Sequence, residues 1–123
     1  MATTNDVFGW MDRDFRFANK PRGSVEIVEH GYDPIRGYDL LKVCLYTDIN
    51  RYSIVAHEGN SEKRSYLGCT ASSRKPRAGE DWTRGRDLAD GPLSDETWHK
   101  ILADIVSYEL VDVVDKGSHD HHL

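Results

Sequence analysis

The chain is short of most features that classify a protein at sight. It carries only two cysteines in 123 residues, too few for the disulfide framework of a small secreted domain. Cys44 and Cys69 fall inside strand-like runs and read as reduced core thiols. No apolar run approaches the roughly 20 residues that cross a bilayer, so no membrane association is expected. The first residues, "MATTNDVFGWMDRDF", lack the apolar stretch of a signal peptide, and a cytoplasmic location is expected. There is no basic excess: the net charge is −5, opposite in sign to the footprint of a general nucleic-acid binder. There is no glycine-rich phosphate loop, nucleophile elbow or metalloprotease helix motif. Apolar residues make up 38% of the chain, a lean share that favours extra burial in a homo-oligomer.

What is present reads as one α+β domain over residues 1–115, with a polar tail, "KGSHDHHL", over 116–123. Residues 1–23 look irregular. Trp10, Phe15 and Phe17 are scattered among Asp12, Arg13, Asp14 and Arg16. Strand patterns follow in "SVEIVEH", "YDLLKVCLYT", "RYSIVAHE" and "SYLGCTASS". Turn residues separate them at Gly31–Gly37, at Asp48–Asn50 and in "GNSEKR". The alternation places Leu41, Val43 and Leu45 on one face, and Tyr52, Ile54 and Ala56 on one face. Hairpin spacing makes this an antiparallel meander of four to five strands. Near the end Ser94 is an N-cap, Asp95 and Glu96 suit the helix dipole, and Leu93 with Trp98 form a hydrophobic staple. Trp98, Ile101, Leu102, Ile105 and Tyr108 recur at helical spacing, which predicts a helix over residues 95–110 packed on the sheet. "VDVVD" fits either a last strand or an extension of that helix.

Between the fourth strand and this helix lie residues 74–92, with no evident secondary structure. So long a connection in a small domain is usually functional or disordered. Arg74, Lys75, Arg77, Arg84 and Arg86 are set against Glu80, Asp81, Asp87 and Asp90. Arginine suits bidentate contact with phosphate or carboxylate. Trp82 is placed to stack on a base, and Asp87 and Asp90 to accept hydrogen bonds from ribose hydroxyls. These residues fit a nucleotide-like ligand. They equally fit a surface loop whose charges pair with one another. Arg13, Arg16, Lys20 and Arg22 beside the N-terminal aromatics form a second basic–aromatic group, which fits a pocket wall, a subunit contact or a solvated arm. His30, His57 and His99 are isolated, the two cysteines lack further metal ligands, and neither a catalytic set nor a metal or cofactor site is expected.

The block "YLGCTASSRKPRAGEDWTRGRDLADGPLSDETWHKILADIVSYELV", residues 66–111, resembles small proteins encoded by bacteriophages and prophages. Its core, "SRKPRAGEDWTRG.DLADG", is similar to that of the phage anti-Thoeris decoys. The resemblance implies a protein that holds a cyclic ADP-ribose isomer or a cyclic nucleotide immune signal without cleaving it. It also implies a homo-oligomer in the host cytoplasm with pockets at subunit interfaces. The positions it carries over are Arg74, Arg77, Arg84 and Asp87, with Trp82 as stacker. Arg86 stands where the family pattern has asparagine, and a guanidinium cannot accept the hydrogen bonds an amide accepts, which puts ligand preference in question. Two other functions remain in competition: an inhibitor acting by direct protein contact, and an enzyme that degrades the signal.

Overall fold

Five strands follow one another through the chain and lie side by side in the same order. They are β1 (Ser24–Asp33), β2 (Tyr38–Tyr46), β3 (Asn50–Glu58), β4 (Tyr66–Ser73) and β5 (Arg86–Gly91). Every pairing is antiparallel. Helix α1 (Thr4–Phe17) precedes the sheet, and helix α2 (Asp95–Gly117) follows it. The structure, a computed structural model, describes residues 2–17, 24–47, 49–59, 65–73, 79 and 85–117. The predicted meander and C-terminal helix are therefore both present. No helix among the described residues is long and apolar enough to cross a membrane.

Strand alternation decides which face is buried. Leu41 pairs with Ala56, Val43 with Ile54 and Leu45 with Tyr52. Ile54 in turn pairs with Cys69 and Tyr52 with Ala71. All of these side chains are buried, and both helices pack on this face, which is termed the helix face below. The opposite face carries Lys42, Ser53, Val55, Gly68, Thr70 and Ser72. The β1–β2 turn is held by Asp33, whose Oδ1 accepts from the amides of Ile35 at 3.0 Å and Arg36 at 3.1 Å. Gly37 closes it at φ 77°, where a side chain would be strained.

Over Thr4–Phe17 helix α1 stands where an irregular segment was expected, and residues 18–23 of that stretch lie outside the described residues. Its start is a reciprocal cap: the amide of Asp6 donates to Thr3 Oγ1 at 3.3 Å, and the amide of Thr3 donates to Asp6 Oδ2 at 2.8 Å. That is the capping-box arrangement with aspartate in the place of glutamate. Glu58, at the end of β3, accepts from the amide of Thr4 and pins the helix N-terminus to the sheet. Val7, Trp10 and Met11 form its buried stripe. Trp10 is therefore a core residue.

Helix α2 begins as predicted. The amide of Thr97 donates to Ser94 Oγ at 3.2 Å, and both members of the staple, Leu93 and Trp98, are buried. Its backbone continues past Leu110 to Gly117, so "VDVVD" extends the helix. The two helices meet through their tryptophans. Trp10 and Trp98 stack with ring centroids 5.6 Å apart at 23°. Trp98 is fully buried, and its indole Nε1 donates to Asp14 Oδ2 at 2.5 Å. Further along α2, Glu109 Oε2 accepts from Tyr52 Oη at 2.5 Å, from Thr47 Oγ1 at 3.2 Å and from Asn50 Nδ2. Burial first, and then this carboxylate, push the Tyr52 phenol above its ordinary pKa. The helix is thus tied to β3 by a polar clamp as well as by its apolar stripe.

Trp98→Ala should cost about 3–5 kcal/mol in denaturant unfolding, the range for truncating a buried aromatic. The Asp14 carboxyl gives a pH signature. Burial raises its pKa, but hydrogen bonds from Arg13 and Trp98 outweigh this and hold it below the usual aspartate value. A depressed carboxylate contributes stability that is present above its unfolded pKa, near 3.9, and lost as pH falls through the folded value. Melting temperature should therefore drop on acidification below about pH 4, and Asp14→Asn should flatten that drop.

Candidate functional site

On the face away from the helices, the middle of β3 and of β4 carries small side chains at successive positions of that face. Ser53 and Val55 of β3 lie opposite Thr70 and Gly68 of β4, and Ser72 lies opposite Arg51. Small residues on adjacent strands make a depression. Here it is a cleft of about 430 Å³ whose floor is Ser53, Val55, Gly68, Thr70 and Ser72. That volume falls in the range of small-molecule sites.

The rim is charged and two-sided. Lys42 and Arg51 line it on the β2–β3 side, and Asp87 and Asp90 on the β5 edge. Register explains the carboxylates: Thr70 pairs with Asp87 and Gly68 with Asp90, with a bulge between that keeps both on this face. Thr70 Oγ1 donates to Asp87 Oδ1 at 3.0 Å. Tyr66 forms one wall. Its ring lies over Gly68, where an added Cβ would fall 2.2 Å from the phenol oxygen, so only glycine leaves the ring this seat. The phenol borders the same cleft as the carboxylates of Asp87 and Asp90. Its pKa is raised by burial, and then by the charges of Asp90 and Asp87. Behind it the rings of Tyr66, His57 and Tyr38 form a ladder across three strands, at centroid spacings of 5.4 Å and 4.3 Å.

The residues singled out from sequence separate under this geometry. Arg86 and Asp87 lie on β5 and not in a loop. The connection expected over 74–92 is therefore interrupted by a strand, one that cross-strand pairing with β4 creates in a stretch of weak strand formers. Their parity then parts them. Asp87 faces the cleft, whereas Arg86 pairs with Ala71 on the helix face, its guanidinium 5.6 Å from the ring centroid of Tyr108. Arg74, Arg77, Trp82 and Arg84 lie outside the described residues. Of the described residues on either side of them, Ser72 and Gly85 both line the cleft. Lys42, Arg51, Ser53, Thr70 and Ser72 were missed. For those on β3 and β4 the signal was the alternation in "RYSIVAHE" and "YLGCTASS", where the positions opposite the core in the middle of the runs are Ser53, Val55, Gly68, Thr70 and Ser72.

The cleft offers donors, acceptors and both charges, with no evident nucleophile. Cys69 belongs to the helix-face core, and burial pushes its thiol far up. Cys44 lies on the other face, its Sγ 3.8 Å from Ser53 Oγ, so the two sulfurs are on opposite sides of the sheet. No group of three metal-ligating side chains gathers among the described residues. Cations on one side and carboxylates on the other suit a ligand that is anionic at one end and rich in hydroxyls at the other.

The junction of the segment with the cleft gives a test. A Cβ on Gly85 would fall 2.2 Å from the Ala71 carbonyl oxygen and 2.8 Å from Thr70 Cγ2. Gly85→Ala should therefore force β5 away from β4 at a cost of about 1–3 kcal/mol. Hydrogen exchange should accelerate in β5 before it does in β2 or β3. No family model matches the chain, and neither a curated protein nor a solved structure matches it.

Proposed function

We propose that the chain binds a small phosphorylated nucleotide of the cyclic ADP-ribose type in the open-face cleft and holds it unchanged. In a phage-infected cell such binding would silence a nucleotide-signalled defence from within the cytoplasm. The observation that carries this reading is the small-residue floor set between Lys42 and Arg51 on one side and Asp87 and Asp90 on the other. Phosphates suit the cationic side, where lysine and arginine make charge-assisted hydrogen bonds. Ribose hydroxyls suit the carboxylates, which accept them without competing for the phosphates. The stretch that resembles the anti-Thoeris decoys, residues 66–111, contains most of the cleft: Tyr66, Gly68, Thr70, Ser72, Asp87 and Asp90. It also contains Arg74, Arg77, Trp82 and Arg84, which follow Ser72 and precede Gly85 in the chain. Sequestration needs affinity alone, and the cleft offers hydroxyl donors, carboxylate acceptors and cations to supply it. The cleft opens to solvent, and a second copy of the chain closing over it would supply the desolvation that tight binding requires. A homo-oligomer is accordingly part of the proposal.

The test is thermal shift and calorimetry with cyclic ADP-ribose isomers, followed by heat denaturation and analysis of the released ligand. The expected result is a ligand-dependent rise in melting temperature and release of the intact compound. Ser53→Leu, which fills the floor, should abolish the rise. Arg77→Ala and Arg84→Ala should each weaken binding by about 1.5–3 kcal/mol, roughly ten- to a hundredfold. The melting temperature without ligand should shift by no more than an ordinary surface change. Altered compound on release would make the protein an enzyme. Absence of any shift, with these arginine variants destabilised instead, would make the segment structural.

A further inference from the structure

Exposed apolar side chains are concentrated in one part of the molecule. Val25 is 47% exposed, Ile27 57%, Val28 49%, Tyr32 61% and Ile35 94%. All five lie on β1 or in the turn that follows it, and among the described residues only Tyr66 and Val106 join them as large exposed hydrophobics. β1 is an edge strand, and no described strand pairs with its outer side. It is ten residues long and contains neither lysine nor arginine, the residues that commonly protect such an edge. A bulge between Ile27 and Glu29 interrupts it, yet pairing with β2 continues on both sides.

The register sorts its side chains by chemistry. Val25 and Ile27 pair with Leu45 and Val43 and so lie on the helix face, beyond the reach of either helix. Glu26 and Glu29 pair with Cys44 and Lys42 and lie on the open face. Asp33 is engaged with its turn and with Arg36, 3.4 Å away. Tyr46 Oη donates to Glu26 at 3.3 Å, which leaves the carboxylate its charge, and Lys42 is the cation that faces Glu29 from β2. A second copy of this edge would set one acidic strand against another, and like charges opposed across strands are destabilising. A strand of the opposite charge pattern meets no such penalty.

We infer that β1 is a docking edge for an extended segment of a partner protein in which apolar residues alternate with lysine or arginine. Backbone hydrogen bonds to the free edge supply affinity, while the alternating side chains set register and specificity. The apolar residues continue the row of Val25 and Ile27, and the basic ones lie beside Glu26 and Glu29. The edge borders the cleft at Lys42, which pairs with Glu29 and also lines the cleft rim.

The test uses the full chain and two blocked peptides of about nine residues, a typical strand length. One alternates valine with lysine and the other valine with glutamate. Hydrogen exchange and fluorescence anisotropy are recorded for each. The lysine peptide should slow exchange in β1 and the glutamate peptide should not. The double variant Glu26→Lys, Glu29→Lys should weaken the lysine peptide at least about tenfold and admit the glutamate peptide, while the circular dichroism of the folded chain is retained. Three results would overturn the inference: no protection of β1, equal protection by both peptides, or protection that rises with protein concentration when no peptide is present. The last would identify a second copy as the occupant.

Discussion

The contact between Trp10 and Trp98 organises the molecule. Stacking the two indoles joins a helix from the start of the chain to one from its end, and the bond from Trp98 Nε1 to Asp14 fixes their relative rotation. With both helices joined above the same face, the sheet is covered on that side from β2 to β5, and among the described residues no helix lies on the other. A five-stranded antiparallel sheet tolerates this because alternation separates the two faces residue by residue. The face without helices is therefore free to vary in side-chain size and charge at little cost to the core.

That freedom is visible in β3 and β4. On the helix face they carry Tyr52, Ile54, Leu67 and Cys69, all buried. On the other they carry Ser53, Gly68, Thr70 and Ser72, and the cleft is the space these residues leave open. Strand β5 then brings two carboxylates to its border through its pairing with β4. Site and scaffold thus share strands but not faces. Substitutions on the floor are expected to act on binding, whereas substitutions around the tryptophan pair act on stability.

How much of this could be read beforehand followed from how local its cause was. β2 and β3 were legible because Leu41, Val43 and Leu45, and Tyr52, Ile54 and Ala56, alternate without interruption. The start of α2 was legible because Ser94, Leu93 and Trp98 form a local capping pattern. α1 was not, since Gly9 and the charged run from Asp12 to Asp14 mask a stripe of only Val7, Trp10 and Met11, although Thr3 and Asp6 were a usable start signal. β5 was not, because "RDLADG" has turn chemistry and becomes a strand only through its pairing with β4. Attention to charge also placed Arg86 with Asp87, while strand parity puts Arg86 beside Tyr108 on the helix face. The floor of the cleft was overlooked for the opposite reason: serine, threonine and glycine advertise no chemistry until neighbouring strands bring them together.

The claim that most needs a direct measurement is that the open face, and not the charged segment alone, receives the ligand. Amide chemical-shift mapping during titration with a cyclic ADP-ribose isomer measures this residue by residue. The predicted result is saturable change at Ser53, Val55, Gly68, Thr70, Ser72, Asp87 and Asp90, with the amides around Trp10 and Trp98 undisturbed. Saturable change confined to residues 74–84, or centred on β1 or the helices, would contradict it.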